Sequence, residues 1–545
     1  MIEVCIVPEP KSFKFLGKWF VFDGFEEFPD FLTDEFNVPK GEWKITEIKR
    51  GGTGLEVTKK NIRMWGDELT CYATILQLAK QREGYLPQVE VEEAFKFGFR
   101  GYHLDIARGG VPTVETFKRI LRWLFLLKYN YFAIYFEDLF PWKKYPRIGS
   151  HRGRLTEEEF REIVEYGSSL GIEVFPSLEL CGHMEHILSL PEFWNFSEWH
   201  RPTEGCLDVS SKEAREFTYE LLKEAVESSR SKYVHIGGDE TWALGRGKSL
   251  NETWKFEGPR LYELHHWNMV EIVRKAGKEP MLWGDMISGM YLRGDAAKWA
   301  EAIESPIWKD VLVANWDYNP SPKQHFNDKI RSFKERGLQQ IACPGLSNWD
   351  RFYPNFQMAL ENLRNFLTAA REEGLRGFLV TAWGDDGEEC LFSFLDPLLL
   401  AAMEIAEGNG RWEEKWIAIG QEDENILRAR TLFGDPSISE VIKHVIFRDF
   451  WFSRSSPESR EATRSHWKNT LREIEGTNLP EDLNFIRRLI ATGMKVLDND
   501  VKVSDYIALS NTYSQLWLGE RKPEGLGTII QKFWGAAGKE ELKLP

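Results

Sequence analysis

KYVHIGGDE, residues 232–240, joins a short β-branched and aromatic run to two glycines and two adjacent acids. The run predicts a buried strand and the glycines a sharp turn at its end, so that both carboxylates arrive at one place. Before it lies SKEAREFTYELLKEAVESS (211–229), apolar at three- and four-residue spacing, and the next apolar run after it is PMLWGD (280–285). Strand, helix and strand in this order predict a parallel sheet with crossover helices.

The same alternation continues in both directions. Upstream strands are GYHLDIA (101–107), YFAIYF (131–136) and EVFPSL (173–178); downstream ones are VLVANW (311–316), QIACPG (340–345) and GFLVTAW (377–383). Amphipathic segments such as TVETFKRILRWLFLLK (113–128) and TEEEFREIVEYGSSL (156–170) lie between them. With KYVHIGG and PMLWGD they make eight units over about 300 residues, which predicts an α/β protein with a (β/α)8 TIM barrel rather than an open doubly wound sheet. No GxGxxG or P-loop follows the first strand, which argues against a dinucleotide-binding sheet.

Three domains are expected from the 545 residues. Residues 1–97 carry short β-rich runs and one helical run, CYATILQLAKQ, and predict a small α+β domain; 98–405 form the barrel. In 406–545 the strand signals stop, and EDENILRARTLF, ESREATRSHWKNTLREIEG and EDLNFIRRLIATGMKVLDN predict a helical C-terminal domain. A formal net charge of −15 disfavours nonspecific binding to nucleic acid or anionic membranes. No basic start followed by an apolar stretch, and no run of about 18 apolar residues, is found, so a soluble, cytoplasmic chain is expected. Six scattered cysteines without CxxC spacing fit a reducing compartment and no structural metal.

Barrels place their chemistry at the C-terminal ends of the strands. Here the ends carry Asp105 and Arg108; Glu137 and Asp138; Glu179 and His183; Asp239 and Glu240; Trp283 and Asp285; Trp316, Asp317 and Tyr318; Asn348 and Trp349; and Trp383, Asp385 and Asp386. One carboxylate at a strand end is as readily a helix cap, but eight ends with one bias describe a pocket walled by Trp and floored by acids, as glycoside chemistry needs. Neighbouring acids push each other's pKa values apart, so one can donate a proton while the other stays ionised. Adjacent residues are poorly placed to stand about 5–9 Å apart across a glycosidic bond, which points to a nucleophile borne by the substrate, an acetamido oxygen at C2 of the sugar.

RGYHLDIAR (100–108), the acidic end of strand two, the Gly182–His183 pair, HIGGDE (235–240) and the strand-end tryptophans, taken in order, resemble the family 20 glycoside hydrolases, the β-N-acetylhexosaminidases. YFEDLFPW, GDDGEE and WLGERKPEGL suggest a subgroup with a helical C-terminal domain. The resemblance implies an exo-acting hydrolase of terminal β-linked GlcNAc or GalNAc, retaining, with a small-molecule or oligosaccharide substrate and neither cofactor nor metal. It implies Glu240 as general acid/base and Asp239 as the group that orients the acetamido nitrogen. Arg108 would bind the 3- and 4-hydroxyls, unless it only pairs with Asp105 or Asp138. Asp138 and His183 would hydrogen-bond toward Glu240, and Trp283, Trp316 and Trp383 would wall the pocket. Asp385, with Glu388 as alternative, stands where the family has a Glu for the 4- or 6-hydroxyl. CPGLSNWD lacks the family's Tyr for the acetamido oxygen; Tyr318 is the expected substitute, Tyr353 a further candidate, and Trp349 would line the pocket.

Two rivals stay open. One is a two-carboxylate glycosidase pairing Glu240 with Glu179 or Asp385, and the other is a barrel that binds sugar without turnover. A homodimer, in which the C-terminal domain closes over a neighbouring active site, is also left open by the chain.

Overall fold

The structure, a computed structural model, describes residues 4–199, 201–288, 299 and 302–542. Its N-terminal unit is a five-stranded sheet of β1 (Ser12–Val21), β2 (Lys44–Glu47), β3 (Thr53–Thr58), β4 (Asn61–Trp65) and β5 (Tyr85–Glu93), in the order β1-β5-β3-β4-β2. Helix Glu68–Lys80 covers one face, started by Asp67, whose carboxylate accepts from the Thr70 N–H at 2.7 Å. Its buried side, with Ile75 and Leu78, packs on Leu55, Val57, Ile62 and Val89.

The eight expected strands are all present: β6 (Phe99–Asp105), β7 (Tyr131–Tyr135), β8 (Glu173–Ser177), β9 (Tyr233–His235), β10 (Glu279–Trp283), β11 (Leu312–Trp316), β12 (Gln339–Cys343) and β13 (Gly377–Ala382). They are parallel and close into a barrel, β13 pairing with β6 over six residue pairs from Gly377↔Phe99 to Ala382↔Leu104. Thr113, Thr156 and Ser211 cap the crossover helices that follow β6, β7 and β8, each accepting a backbone N–H three residues on. At the N-terminal end of the barrel interior, Phe99, Tyr131, Phe175 and Tyr233 form an aromatic plug, with Phe99 and Tyr131 stacked at 4.0 Å. The interior is thus filled from below, as barrels of this size require, and can open only at the C-terminal end.

The sheet domain is fastened to the barrel by buried polar groups. Gln77 accepts from the Val7 N–H and donates to the carbonyls of Val7 and Leu126. Lys128 pairs with Glu93 at 2.7 Å, both side chains 2% exposed, and Glu93 also accepts from the Thr74 hydroxyl. From Asp396 onward the chain is helical; Glu481–Leu497, Val503–Glu520 and Leu526–Glu541 pack together, and Phe485, Tyr513 and Phe533 surround Phe352 from the loop after β12. That aromatic contact seats the C-terminal helices on the catalytic end of the barrel.

Lys128→Met leaves the Glu93 carboxylate buried without its cation and is expected to cost about 3–5 kcal/mol in a denaturant titration. The double change Lys128→Met/Glu93→Leu is expected to recover part of this loss, and a single-variant cost below about 1 kcal/mol would contradict the assignment.

Candidate active site

The turn after β9 is built by its glycines. Gly237 (φ 69°) and Gly238 (φ 92°) both adopt the left-handed region. A Cβ on Gly237 would lie 2.3 Å from Glu179 Oε2, and one on Gly238 would lie 2.7 Å from both His266 Nε2 and the Tyr262 hydroxyl. His235 fixes the turn from within: its Nδ1 accepts from the Gly237 N–H at 3.0 Å, which puts its proton on Nε2 beside the Trp283 ring. Burial brings the His235 pKa down to about 3, so the ring is neutral. Glu240 itself has φ 46°, and Glu137 (φ 45°) and His183 (φ 50°) at neighbouring strand ends share this strained backbone. Such residues cost about 1–3 kcal/mol each and gather where function demands the geometry.

Asp239 is 6% exposed, and Glu240, next to it, reaches the solvent-facing mouth. His183 stands between them, its Nε2 3.5 Å from Asp239 Oδ2 and 3.6 Å from Glu240 Oε2. Burial alone would neutralise this imidazole, but the Asp239 carboxylate overrides it and raises its pKa to about 10. Asp239 is likewise pushed up by burial, and the His183 charge with hydrogen bonds from His183 and Glu179 outweighs that and holds it below the usual range. Glu179 is fully buried; burial and then the Asp239 charge raise its pKa far enough to keep it protonated. A side-chain hydrogen bond between Glu179 and Asp239 raises the first and lowers the second, as a protonated donor beside an ionised acceptor requires.

Glu240 moves the other way, upward, through burial and the Asp239 charge. Its N–H donates to Asp285 Oδ2 at 3.0 Å, and Asp285 Oδ1 accepts from Trp316 Nε1 at 3.2 Å, which couples the turn to the aromatic wall. Burial and Asp239 raise Asp285 to about 7. Trp316 stacks on Tyr318 at 4.9 Å, Trp349 lies 5.4 Å from Tyr318, and the Tyr318 hydroxyl accepts from Trp383 Nε1 at 2.8 Å. Arg108 is gripped by Asp105 (2.8 Å) and Glu137 (3.2 Å), with its guanidinium 5.2 Å from the Tyr135 ring.

Arg108, His183, Asp239, Glu240, Trp316, Tyr318, Trp349, Trp383 and Asp385 thus line one cavity of about 240 Å³, joined by Asp350. This is below the usual ligand-pocket range of about 300–1,000 Å³ and suits one sugar ring rather than a chain. A larger cleft of about 430 Å³, between the sheet domain and the opposite end of the barrel, contains charges already paired, Lys128 with Glu93 and Arg100 with backbone carbonyls.

Four expected positions fall elsewhere. Trp283 is fully buried beneath the cavity floor, where its Nε1 donates to Glu179 Oε1 at 3.3 Å, because β10 ends one layer below the rim. Asp138 points away to Arg152 at 2.5 Å, and the left-handed turn at Glu137 makes Glu137 the acid that faces Arg108 and His183. Tyr353 is buried among Phe356, Phe394 and Phe433, which leaves Tyr318 as the tyrosine hydroxyl in the cavity among the described residues. Glu388 is 2% exposed and packs under Gly384 and Gly110. Asp350 was not singled out in the sequence, although it follows Trp349 directly; its N–H donates to the Asp385 carbonyl at 3.2 Å. Glu137, His183 and Glu185 have ligating atoms within 4.8 Å of one another, a spacing that suits a cation.

The fold and cavity define a (β/α)8-barrel protein with an acid-floored, tryptophan-walled pocket of one-ring size. Residues 97–347 match the catalytic-domain model of glycosyl hydrolase family 20. The beta-hexosaminidase of Porphyromonas gingivalis is 30% identical over 254 residues, 42% of this chain and 31% of that protein. Human hexosaminidase D is 23% identical over 302 residues, 53% of this chain and 60% of its own length. The chain thus spans less than two-thirds of either relative. Among solved structures, Flavobacterium johnsoniae chitobiase is similar in fold with a TM-score of 0.60 and 17% identity, covering 97% of this chain and 99% of that one. An exo beta-N-acetylglucosaminidase of Vibrio harveyi, solved with N-acetylglucosamine, has a TM-score of 0.57 at 16% identity, covering 78% of each chain.

The raised His183 pKa sets a sign for stability. Because the folded value is about 10 against an ordinary 6.5, the His183–Asp239 attraction is fully present below pH 6.5 and is lost as pH rises through about 10. Wild type is therefore expected to lead His183→Gln in unfolding free energy at about pH 6 and to lose that lead by about pH 10. A gap that is constant across this window in chemical denaturation would contradict the assignment.

Proposed function

We propose that this protein is an exo-β-N-acetylhexosaminidase that removes terminal non-reducing β-linked GlcNAc or GalNAc with retention, using the substrate's 2-acetamido group as nucleophile. The observation that carries the reading is two adjacent acids in a one-ring cavity, Asp239 on its floor and Glu240 at its mouth, both beside His183 Nε2, with Asp239 held below and Glu240 above the ordinary carboxylate range. The match to glycosyl hydrolase family 20 and the resemblance to beta-hexosaminidases support it.

In the first step the acetamido carbonyl oxygen attacks C1, the C1–O bond to the leaving group breaks, and Glu240 gives its proton to the departing oxygen. Asp239 holds the acetamido N–H and stabilises the oxazolinium that forms. In the second step water attacks C1 from the vacated face, Glu240 takes its proton, and the C1–O bond of the oxazolinium opens. Two inversions at C1 give net retention. Tyr318, whose hydroxyl is fixed by Trp383, is assigned to the acetamido oxygen, and Trp316 and Trp383 to the N-acetyl group and sugar face. Arg108 takes the 3- and 4-hydroxyls and Asp385 the 4- or 6-hydroxyl. His183 keeps Asp239 ionised and Glu240 in place. The burial and protonation of Glu179 weigh against it as a carboxylate nucleophile.

With an aryl N-acetyl-β-glucosaminide, Glu240→Gln is expected to lower kcat by at least about 10²–10⁴-fold, and the matching β-glucoside to be nearly inert. Equal cleavage of the glucoside, or covalent trapping by a 2-fluoro sugar, would overturn substrate assistance. The alkaline limb of kcat/KM is expected above pH 4.5, the ordinary Glu value, and Asp239→Asn is expected to move it down by removing the charge that holds the proton on Glu240.

A further inference from the structure

The loop that carries Asp385 is held from outside the barrel. It runs through Asp386 (φ 64°), Gly387 (φ 107°) and Glu388 (φ 63°), three successive residues in the left-handed region. Backbone of this kind persists only where its surroundings over-determine it. From below, the Gly384 N–H donates to Asp105 Oδ2 at 3.0 Å, the same carboxylate oxygen that grips Arg108. From above, the contacts come from the C-terminal helices. Lys532, on Leu526–Glu541, donates to the Asp386 carbonyl (2.7 Å), Asp386 Oδ2 (2.8 Å) and Glu389 Oε1 (2.7 Å). Lys443, on Ile442–Phe447, pairs with the Asp386 carboxylate and with Glu389 Oε1 at 3.0 Å. The Tyr513 hydroxyl donates to the Glu389 carbonyl at 2.9 Å, and Arg521 donates to the Cys390 carbonyl.

Glu389 has a fully buried carboxylate, which is costly unless paired, and the two ammonium groups supply that pairing. The same helices also reach the loop after Arg108. The Thr113 N–H donates to the Glu520 carbonyl at 3.1 Å, and Gly525 (φ 88°) sits so close that a Cβ there would lie 1.8 Å from the Gly109 carbonyl oxygen. Both loops that present hydroxyl-binding side chains to the cavity are therefore set against one domain.

We propose that the C-terminal helical domain is a positioning device for sugar recognition, in which Lys532 and Lys443 hold the Asp385 loop at the height where it meets the outer hydroxyls of the ring. This rests on the assignment of Asp385 to the 4- or 6-hydroxyl made above. A domain that only stabilised the fold would affect all substrates alike. One that positions Asp385 shows itself only where there is a hydroxyl to bind.

The test uses the full chain with an aryl N-acetyl-β-glucosaminide and its 4,6-dideoxy analogue. Lys532→Met is expected to raise KM for the hydroxylated substrate about tenfold and for the dideoxy analogue less than about twofold, with kcat and the alkaline limb unmoved. Lys532→Arg is expected to restore most of the loss, and Lys532→Met in an Asp385→Ala background to add nothing further. Lys443→Met carries the same expectation should Lys532→Met fail to fold. Equal losses on both substrates, or effects that add to Asp385→Ala, overturn the positioning role alone. If Asp385→Ala itself leaves the preference between the two substrates unchanged, the Asp385 assignment fails and the positioning role fails with it.

Discussion

One negative charge, on Asp239, is kept in the floor of the barrel where burial would remove it. A carboxylate so nearly enclosed survives only with compensation, and here that takes two forms. His183 supplies a positive charge on one side, and Glu179, forced neutral by its own burial, supplies a proton on the other. The consequence falls on the neighbour in sequence: with its own burial, the Asp239 charge makes Glu240 ionise less readily and moves its pKa upward. Acid and stabilised anion thus arise from two identical functional groups one residue apart, distinguished by what surrounds each.

Much of the remaining architecture keeps that arrangement from relaxing. The aromatic plug of Phe99, Tyr131, Phe175 and Tyr233 closes the barrel beneath the site. Trp283, one layer below the cavity, donates to Glu179 and packs against His235, so the ring expected to touch substrate instead sets the groups that tune the acids. Asp285 ties the Glu240 backbone to Trp316, and Trp383 ties Tyr318 to the wall next to Arg108. The opening is completed by loops that the C-terminal helices grip.

The fold was legible because the eight barrel strands are short, buried runs separated by strongly amphipathic helices. The structure places each within two residues of its expected start. The N-terminal β1 was not legible: Ser12–Val21 lies at the sheet edge with little burial on either face, so no period-two pattern marks it. Within the site, adjacency was readable and direction was not. Glu137 and Asp138 differ by one position at a strand end, and a left-handed turn that no composition signal announces decides which one meets Arg108. Trp283 was expected as a pocket wall; it lies inside the barrel, and its depth there depends on how the strands are staggered. Tyr318 was the expected substitute and Tyr353 a further candidate, and tertiary packing separates the one buried among phenylalanines from the one in the cavity. Asp385 could be named because it lies three residues past the end of β13, and Trp349 because it lies six past the end of β12, on loops that both turn over the barrel mouth.

The account stands on the order in which two adjacent carboxyls give up their protons. Carboxyl carbon NMR of the free protein across an acid titration, with the resonances assigned by Asp239→Asn and Glu240→Gln, reads that order directly. Asp239 is expected to be ionised already below its ordinary 3.8 while Glu240 holds its proton above its ordinary 4.5. Reversal of that order, or two resonances that titrate together at ordinary carboxylate values, would contradict it.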